Sequence, residues 1–172
     1  MIDDIDAHIL SILQDNARTP NAEIARQLGM APSAILERIR KLEERGIIDG
    51  YAVRLNARAL GMGLLTYVFV RADERVGSRE TAQRLAEIPE VLEVHHIAGE
   101  DCFLVKLRCA DTEGLSAALR DRFGAIDAVR STRSIIVLDT VKESARLPVG
   151  IAERVPADAE AESRRARGAV HG

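Results

Sequence analysis

The sequence predicts an α+β protein, helical at its N-terminal end and built around a β-sheet in its middle. Three observations carry this. Apolar residues recur every three or four positions as far as Arg45. The stretch NARALGMG, residues 56–63, breaks both helical and strand periodicity and reads as a hinge or linker. Beyond it, β-rich runs and amphipathic segments follow in the order strand, helix, strand, strand, helix, strand.

Asp3, Asp4 or Asp6 can cap a first helix that carries Ile5, Ile9, Ile12 and Leu13 on one side and ends near Asn16. A second helix presents Ile24, Ala25 and Leu28, and a third presents Ile35, Ile39 and Leu42. Gly29 stands between them where a helix end favours a positive φ, and Pro32 fits the first turn of the third helix. This third helix turns Ser33, Glu37, Arg38, Arg40 and Lys41 away from its apolar stripe. A helix that is apolar behind and polar-basic in front, braced by a short helix before it, is the layout of a helix-turn-helix DNA reader. The following GIIDGYAVRLN suggests a short β-hairpin wing turning at Asp49-Gly50, with Ile48, Tyr51 and Val53 packing. The N-terminal part therefore reads as a winged helix-turn-helix over residues 1–55.

Residues 64–143 supply the second domain. Strands are expected at residues 64–71, 91–98, 103–108 and 129–138, and helices at 78–88, capped by Ser78, and 112–122, capped by Asp111 or Thr112. Their order is the split βαβ, ferredoxin-like βαββαβ arrangement. Residues 144–172 contain Pro148 and Pro156, mixed charge and no sustained apolar period, and read as a disordered tail. Arg164, Arg165 and Arg167 in that tail offer at most nonspecific attraction to DNA.

Composition narrows the function. With 172 residues, 47% hydrophobic and 30% charged, the chain fits one ordinary or two small soluble domains. No apolar run approaches the ~20 residues of a membrane span, and MIDDIDAHIL is acidic, so neither export nor a membrane partner is expected. Cys102 and Cys109 stand seven apart on an expected strand, pointing to opposite faces, which disfavours a bridge and suits a cytoplasmic location. The formal net charge is -3, so any attraction to nucleic acid must be local. His95 and His96 diverge on a strand and cannot share a metal. No zinc-ligand spacing, phosphate loop or nucleophile-base set is visible, so no metal, cofactor or catalytic residue is expected.

DIDAHILSILQDNAR, LERIRKLEERGIIDGYAV, IAGEDCFLVK and VRSTRSIIVLDTVKES together resemble the leucine-responsive/asparagine-responsive (Lrp/AsnC) family of regulators across residues 2–144. The resemblance implies a DNA-binding winged helix joined to a ferredoxin-like domain that binds an amino-acid effector and forms homodimers and higher homo-oligomers. In the physical reading of the DNA site, Ala31, Ser33 and Ala34 lie closest to base edges, and Arg38 reads a guanine or clamps a phosphate. Arg40, Lys41 and Arg54 suit phosphates; Glu37 either accepts from a cytosine or pairs with Lys41; Asn21 completes the set. The family's pattern places a small ligand at Ile97, Ala98, Gly99, Glu100, Asp101 and Cys102, walled by Thr112 and the last strand around Ser134 and Ile136. Amides near a glycine turn can cradle a carboxylate, and a neighbouring acid can hold an ammonium group. The alternatives are an effector-independent, nucleoid-type DNA packer and a metabolite-binding module with no DNA role.

Overall fold

The computed structural model describes residues 2–75, 78–99 and 101–149. Contacts divide them into two units, residues 2–53 with 144–149, and residues 54–143.

The first unit contains α1 (Asp4–Asp15), α2 (Asn21–Leu28) and α3 (Pro32–Glu44). Asp3 caps α1: its carboxylate accepts from the Asp6 N–H at 2.8 Å, and the Asp6 carboxylate accepts from the Asp3 N–H at 3.3 Å. This reciprocal pair satisfies two donors at the helix start. Gly29 ends α2 at φ 66° and ψ 33°, a left-handed conformation that a Cβ would strain, and Pro32 begins α3. Ile9, Leu10, Ile24, Ala25, Ile35, Ile39 and Leu42 form the core where the helices meet. Each fully buried Ile or Leu there contributes about 1.5 to 3 kcal/mol.

The expected wing hairpin is absent: residues 46–55 form no strand. A tight hairpin turn at Asp49-Gly50 needs positive φ, and the positive φ falls at Gly46 (64°) instead. The amides of Ile47 and Ile48 then fold back onto the Leu42 carbonyl at 2.9 and 3.2 Å, and the Tyr51 hydroxyl donates to Glu43 at 2.9 Å. Burial, followed by that bond, pushes the Tyr51 phenol up to about 12. Residues 144–149, expected in a disordered tail, instead lie against α1. Gln14 exchanges two hydrogen bonds with the Leu147 backbone, and Arg146 pairs with Asp15. The rest of the expected tail, including Arg164, Arg165 and Arg167, lies outside the described residues.

The second unit contains β1 (Leu64–Ala72), α4 (Glu80–Ala86), β2 (Val91–His96), β3 (Phe103–Cys109), α5 (Thr112–Ala117) and β4 (Val129–Ile136). A π-helical turn, Ala118–Phe123, continues α5. The strands order β2-β3-β1-β4 and pair antiparallel throughout, which is the expected ferredoxin-like βαββαβ topology. Val68, opposite both Val105 and Ser134, marks the centre. Val68, Val70, Phe103, Val105 and Leu107 pack against Leu85 of α4 and Leu115, Ala118 and Phe123 beyond it. Strand alternation turns Tyr67, Phe69, Leu104, Lys106 and Ile135 to the other face.

Two local expectations change. The cap position of α4 falls at Arg79 rather than Ser78, but the Ser78 hydroxyl still accepts from the Glu80 N–H at 3.3 Å, and Glu74 adds acceptors for the Thr81 N–H at 3.3 Å and hydroxyl at 2.8 Å. Cys102 precedes β3, and its side chain packs on the same core as Cys109 rather than on the opposite face. Both thiols are free, separated by the length of the strand, roughly 20 Å.

Lys106 is only 9% exposed, although it sits on the face opposite the helices. Its ammonium donates to Glu143 at 2.6 Å and to Glu93 at 3.0 Å, and Arg108 donates to Glu143 at 3.3 Å. The Lys106 hydrogen bond holds the Glu143 carboxyl below its ordinary range. His95 first and Lys106 second do the same for Glu93, and Glu143 chiefly raises Lys106. The lowered carboxyls stabilise the fold fully above their ordinary value of 4.5 and lose that contribution as pH falls through their folded values. The raised ammonium contributes fully below 10.5 and loses its share at higher pH. Urea unfolding across pH should therefore show a plateau with an acid and an alkaline fall, and Lys106→Met should flatten both limbs. Limbs of unchanged steepness in the variant would reject the network as their source.

Candidate functional site

The outward side of α3 begins at its N-terminal turn. Ala31 precedes the helix and Ser33 lies in its first turn, both exposed, with Ala34 half-buried. No side chain caps the N-terminus of α3 or of α2, which Asn21 opens; in the first turn of α3 Pro32 has no N–H and the Ala34 N–H donates to the Ala31 carbonyl at 3.0 Å, which leaves the Ser33 N–H. Glu37 pairs with Lys41 at 3.5 Å and Arg40 with Glu44 at 2.8 Å, all on the exposed side. Arg54 is exposed and is the first residue of the second unit.

Arg38 departs from its expected place on the exposed flank. Its guanidinium turns toward α1 and donates to Asp3 and Asp6, each at 2.7 Å. Position 38 adjoins the Ile35–Ile39–Leu42 stripe, so its side chain is only 29% exposed, and the Asp6 side chain is 11% exposed. The Asp6 amide, then Arg38, holds the Asp3 carboxyl below the usual carboxylate range. The two acids three apart share one face of the start of α1, a spacing visible in sequence. Their partner 32 residues onward emerges only in three dimensions.

The second candidate site is the β2–β3 turn. Gly99 takes φ 136°, in the region that favours glycine. The Ile97 N–H donates to the Cys102 carbonyl at 3.0 Å, and the Cys102 N–H donates to the Val70 carbonyl at 2.9 Å. The Cys102 thiol donates to the Ala72 carbonyl at 3.3 Å. Asp101 accepts from Arg133 at 3.0 Å, and that guanidinium lies 4.1 Å from the Phe69 ring centroid. Arg133 was not a sequence candidate; its link to the turn arises from the pairing of β4 with β1. Glu100 lies outside the described residues, and Ala98 is exposed in the turn.

The proposed walls are not all assembled. Ser134 stands opposite Val68, two residues along β1 from Val70, and Ile136 opposite Thr66, four residues along. That sets Ile136 roughly 13 Å from the turn's anchor. Thr112 follows β3 at its far end, roughly 20 Å from Cys102. Within one chain the geometry groups residues 97–99, 101 and 102 with Arg133 and leaves Thr112 and Ile136 apart. Among the described residues, no set of acids, histidines or cysteines could hold a metal ion, and no helix is long and apolar enough to cross a membrane.

A helix-turn-helix unit followed by a βαββαβ unit with a glycine turn defines a DNA-binding transcriptional regulator. Comparison with known proteins agrees. The AsnC-type helix-turn-helix domain matches residues 2–43, and the Lrp/AsnC ligand binding domain matches residues 65–147. The chain belongs to the Lrp/AsnC family. It is similar to the HTH-type transcriptional regulator FL11 of Pyrococcus horikoshii, 38% identical over 148 residues, 86% of this chain and 97% of that protein. The leucine-responsive regulatory protein of Salmonella typhimurium is 31% identical over 152 residues, 86% of this chain and 92% of its own length. A Neisseria meningitidis transcriptional regulator solved as a complex with L-methionine superposes with TM-score 0.82 at 29% identity, covering 87% of this chain and 98% of that one. These relatives are named as regulators, not enzymes.

The geometry assigns Arg38 a structural consequence. Arg38→Ala leaves the Asp6 carboxylate without its cation and should lower the unfolding free energy by about 1 to 3 kcal/mol. Urea unfolding followed by circular dichroism measures this; a variant as stable as the parent would refute the clamp.

Proposed function

We propose that this regulator works in the cytoplasm as a homodimer, or a higher homo-oligomer, that places paired α3 helices on two operator half-sites and changes its binding in response to an amino acid. The observation that carries the DNA reading is the small-residue start of α3, with Ala31 and Ser33 exposed, Ala34 half-buried and no side-chain cap over the Ser33 N–H. Two recognition helices related by a two-fold axis fit half-sites about one helical turn, ~10 bp, or a multiple apart. Arg40, Lys41, Arg54 and Asn21 serve phosphates and Glu37 stays with Lys41, while Arg38 holds α3 on α1. Self-association is supported by the uncovered sheet face and by Val53 and Leu55, 84% and 71% exposed on an unpaired segment. The effector reading is supported by the relative solved with L-methionine and by the turn itself. Amides beside Gly99 donate to the carboxylate, Asp101 or Glu100 takes the ammonium group, and Thr112 and Ile136 reach the site from a second subunit.

A gel-shift titration on DNA upstream of the protein's own gene, with and without an amino-acid pool, tests both halves. A discrete, competitor-resistant shift altered by the pool is the expected result. A shift indifferent to the pool removes the effector, and indifference to DNA sequence with steep salt dependence favours the packing protein. On the same probe, Arg40→Ala should weaken binding and reduce the salt slope by less than the roughly one unit of a free cation, because Arg40 gives up Glu44 to reach the phosphate. Glu44→Ala should tighten binding, because it frees Arg40; equal affinity for both variants would sink the phosphate role.

Gly99→Asp adds a side chain where φ is 136° and an acid where a carboxylate is proposed to sit. Calorimetric titration with the amino acid that alters the shift should give heat with the parent and none with the variant, while the variant's shift without amino acid persists. Identical heats would reject the turn as the site.

A further inference from the structure

One side chain at the centre of the α3 ridge has no partner and no assigned role. Ser33, Leu36, Glu37 and Arg40 follow at i, i+3, i+4 and i+7, opposite the buried Ile35, Ile39 and Leu42. Leu36 is 56% exposed, and among the described residues it is the only large apolar side chain of α1, α2 and α3 that is exposed. A single exposed leucine is ordinary on a protein surface. Its position makes this one informative. It lies one turn into the helix whose N-terminal part meets base edges, between charges already matched within the helix: Glu37 with Lys41, and Arg40 with Glu44. What the ridge offers a groove at this level, without breaking an ion pair, is the hydroxyl of Ser33 and the isobutyl group of Leu36.

The major groove presents one apolar feature, the C5-methyl group of thymine. We infer that Leu36 is a specificity-determining residue that packs on a thymine methyl in each half-site. Ser33 and Leu36 are separated by about 4.5 Å along the helix axis, against ~3.4 Å between base pairs, so they address neighbouring pairs. The inference rests on the DNA reading above and adds a base preference to it: thymine at one fixed position of each half-site, with little discrimination by charge.

The test removes the methyl group alone. The full-length protein is used to enrich binding sites from a pool of random duplexes, and the enriched duplex becomes the probe. Each thymine is then replaced in turn by deoxyuridine, which keeps the same pairing edge. At one symmetric position the replacement should weaken the parent about fourfold per half-site, the effect of one buried methyl group. Leu36→Ala should bind the thymine probe more weakly and respond less than twofold to deoxyuridine at that position, while Leu36→Met should keep the response. Circular dichroism melting checks that Leu36→Ala folds like the parent. Deoxyuridine without effect at every position rejects the inference while leaving DNA binding intact. So does a Leu36→Ala variant with the parent's full response, or one whose change is confined to its oligomeric state. Failure to enrich any sequence removes the DNA reading of α3, and the thymine contact with it.

Discussion

The two carboxylates at the start of α1 and the single guanidinium that meets them hold the reading unit in register. Asp6 accepts the Asp3 amide, closing the helix cap, and also accepts Arg38 from α3. The core of Ile9, Ile24, Ile35 and Leu42 turns the apolar stripe of α3 inward and so sets its rotation. Two charge-assisted bonds at 2.7 Å are directional. They pin the flank of α3 beside the stripe to the start of α1, and reinforce the orientation that leaves Ser33, Leu36 and Arg40 outward, opposite the stripe.

The sheet unit meets a different constraint. Its two helices cover one face, and alternation along β1, β3 and β4 leaves Tyr67, Phe69, Leu104 and Ile135 on the other. A sheet apolar on both faces calls for a second layer. The chain after β4 supplies part of one: Glu143 returns to Lys106 and Arg108 and helps enclose a cleft of about 430 Å³ lined by Leu65, Tyr67, Val137 and Thr140. Arg133 lies over Phe69 nearer the β2–β3 turn and joins it to Asp101. The uncovered face and the β2–β3 turn are thus linked through one side chain.

Elements whose causes are local were legible in the sequence. The periods of α1 to α3, the glycine that ends α2, the proline that opens α3 and the order of the βαββαβ unit each depend on residues a few positions apart. What escaped depended on competing partners, some near in the chain and some far from it. The Asp49-Gly50 pair carries a strong turn signal, yet the fold places its left-handed residue three positions earlier, at Gly46, and no hairpin forms. Ser78 has the right chemistry for a cap and accepts from the Glu80 N–H, but the Glu74 carboxylate that holds Thr81 beside it was not anticipated. Arg38 carries the same charge as Arg40 and sits two residues away; a rotation of about 200° around the helix makes one structural and leaves the other at the surface. The turn at residues 97–102 was legible from its glycine, whereas Arg133 depends on strand pairing that no short window contains.

The charge of the reading unit bears on how it meets a polyanion. Residues 2–53 hold nine acids against six basic residues, so the unit as a whole is not attracted to DNA by its net charge. On α3 the three cations face three glutamates along one helix, and Arg40 and Lys41 are already bonded to two of them. Phosphate contact therefore exchanges one ion pair for another. It gains less than a free cation would and adds little sequence-independent affinity. In the reading proposed above, discrimination falls to the Ser33 hydroxyl and the apolar Leu36, which trades nonspecific adhesion for selectivity, and the proposed dimer recovers affinity by using two such helices at once.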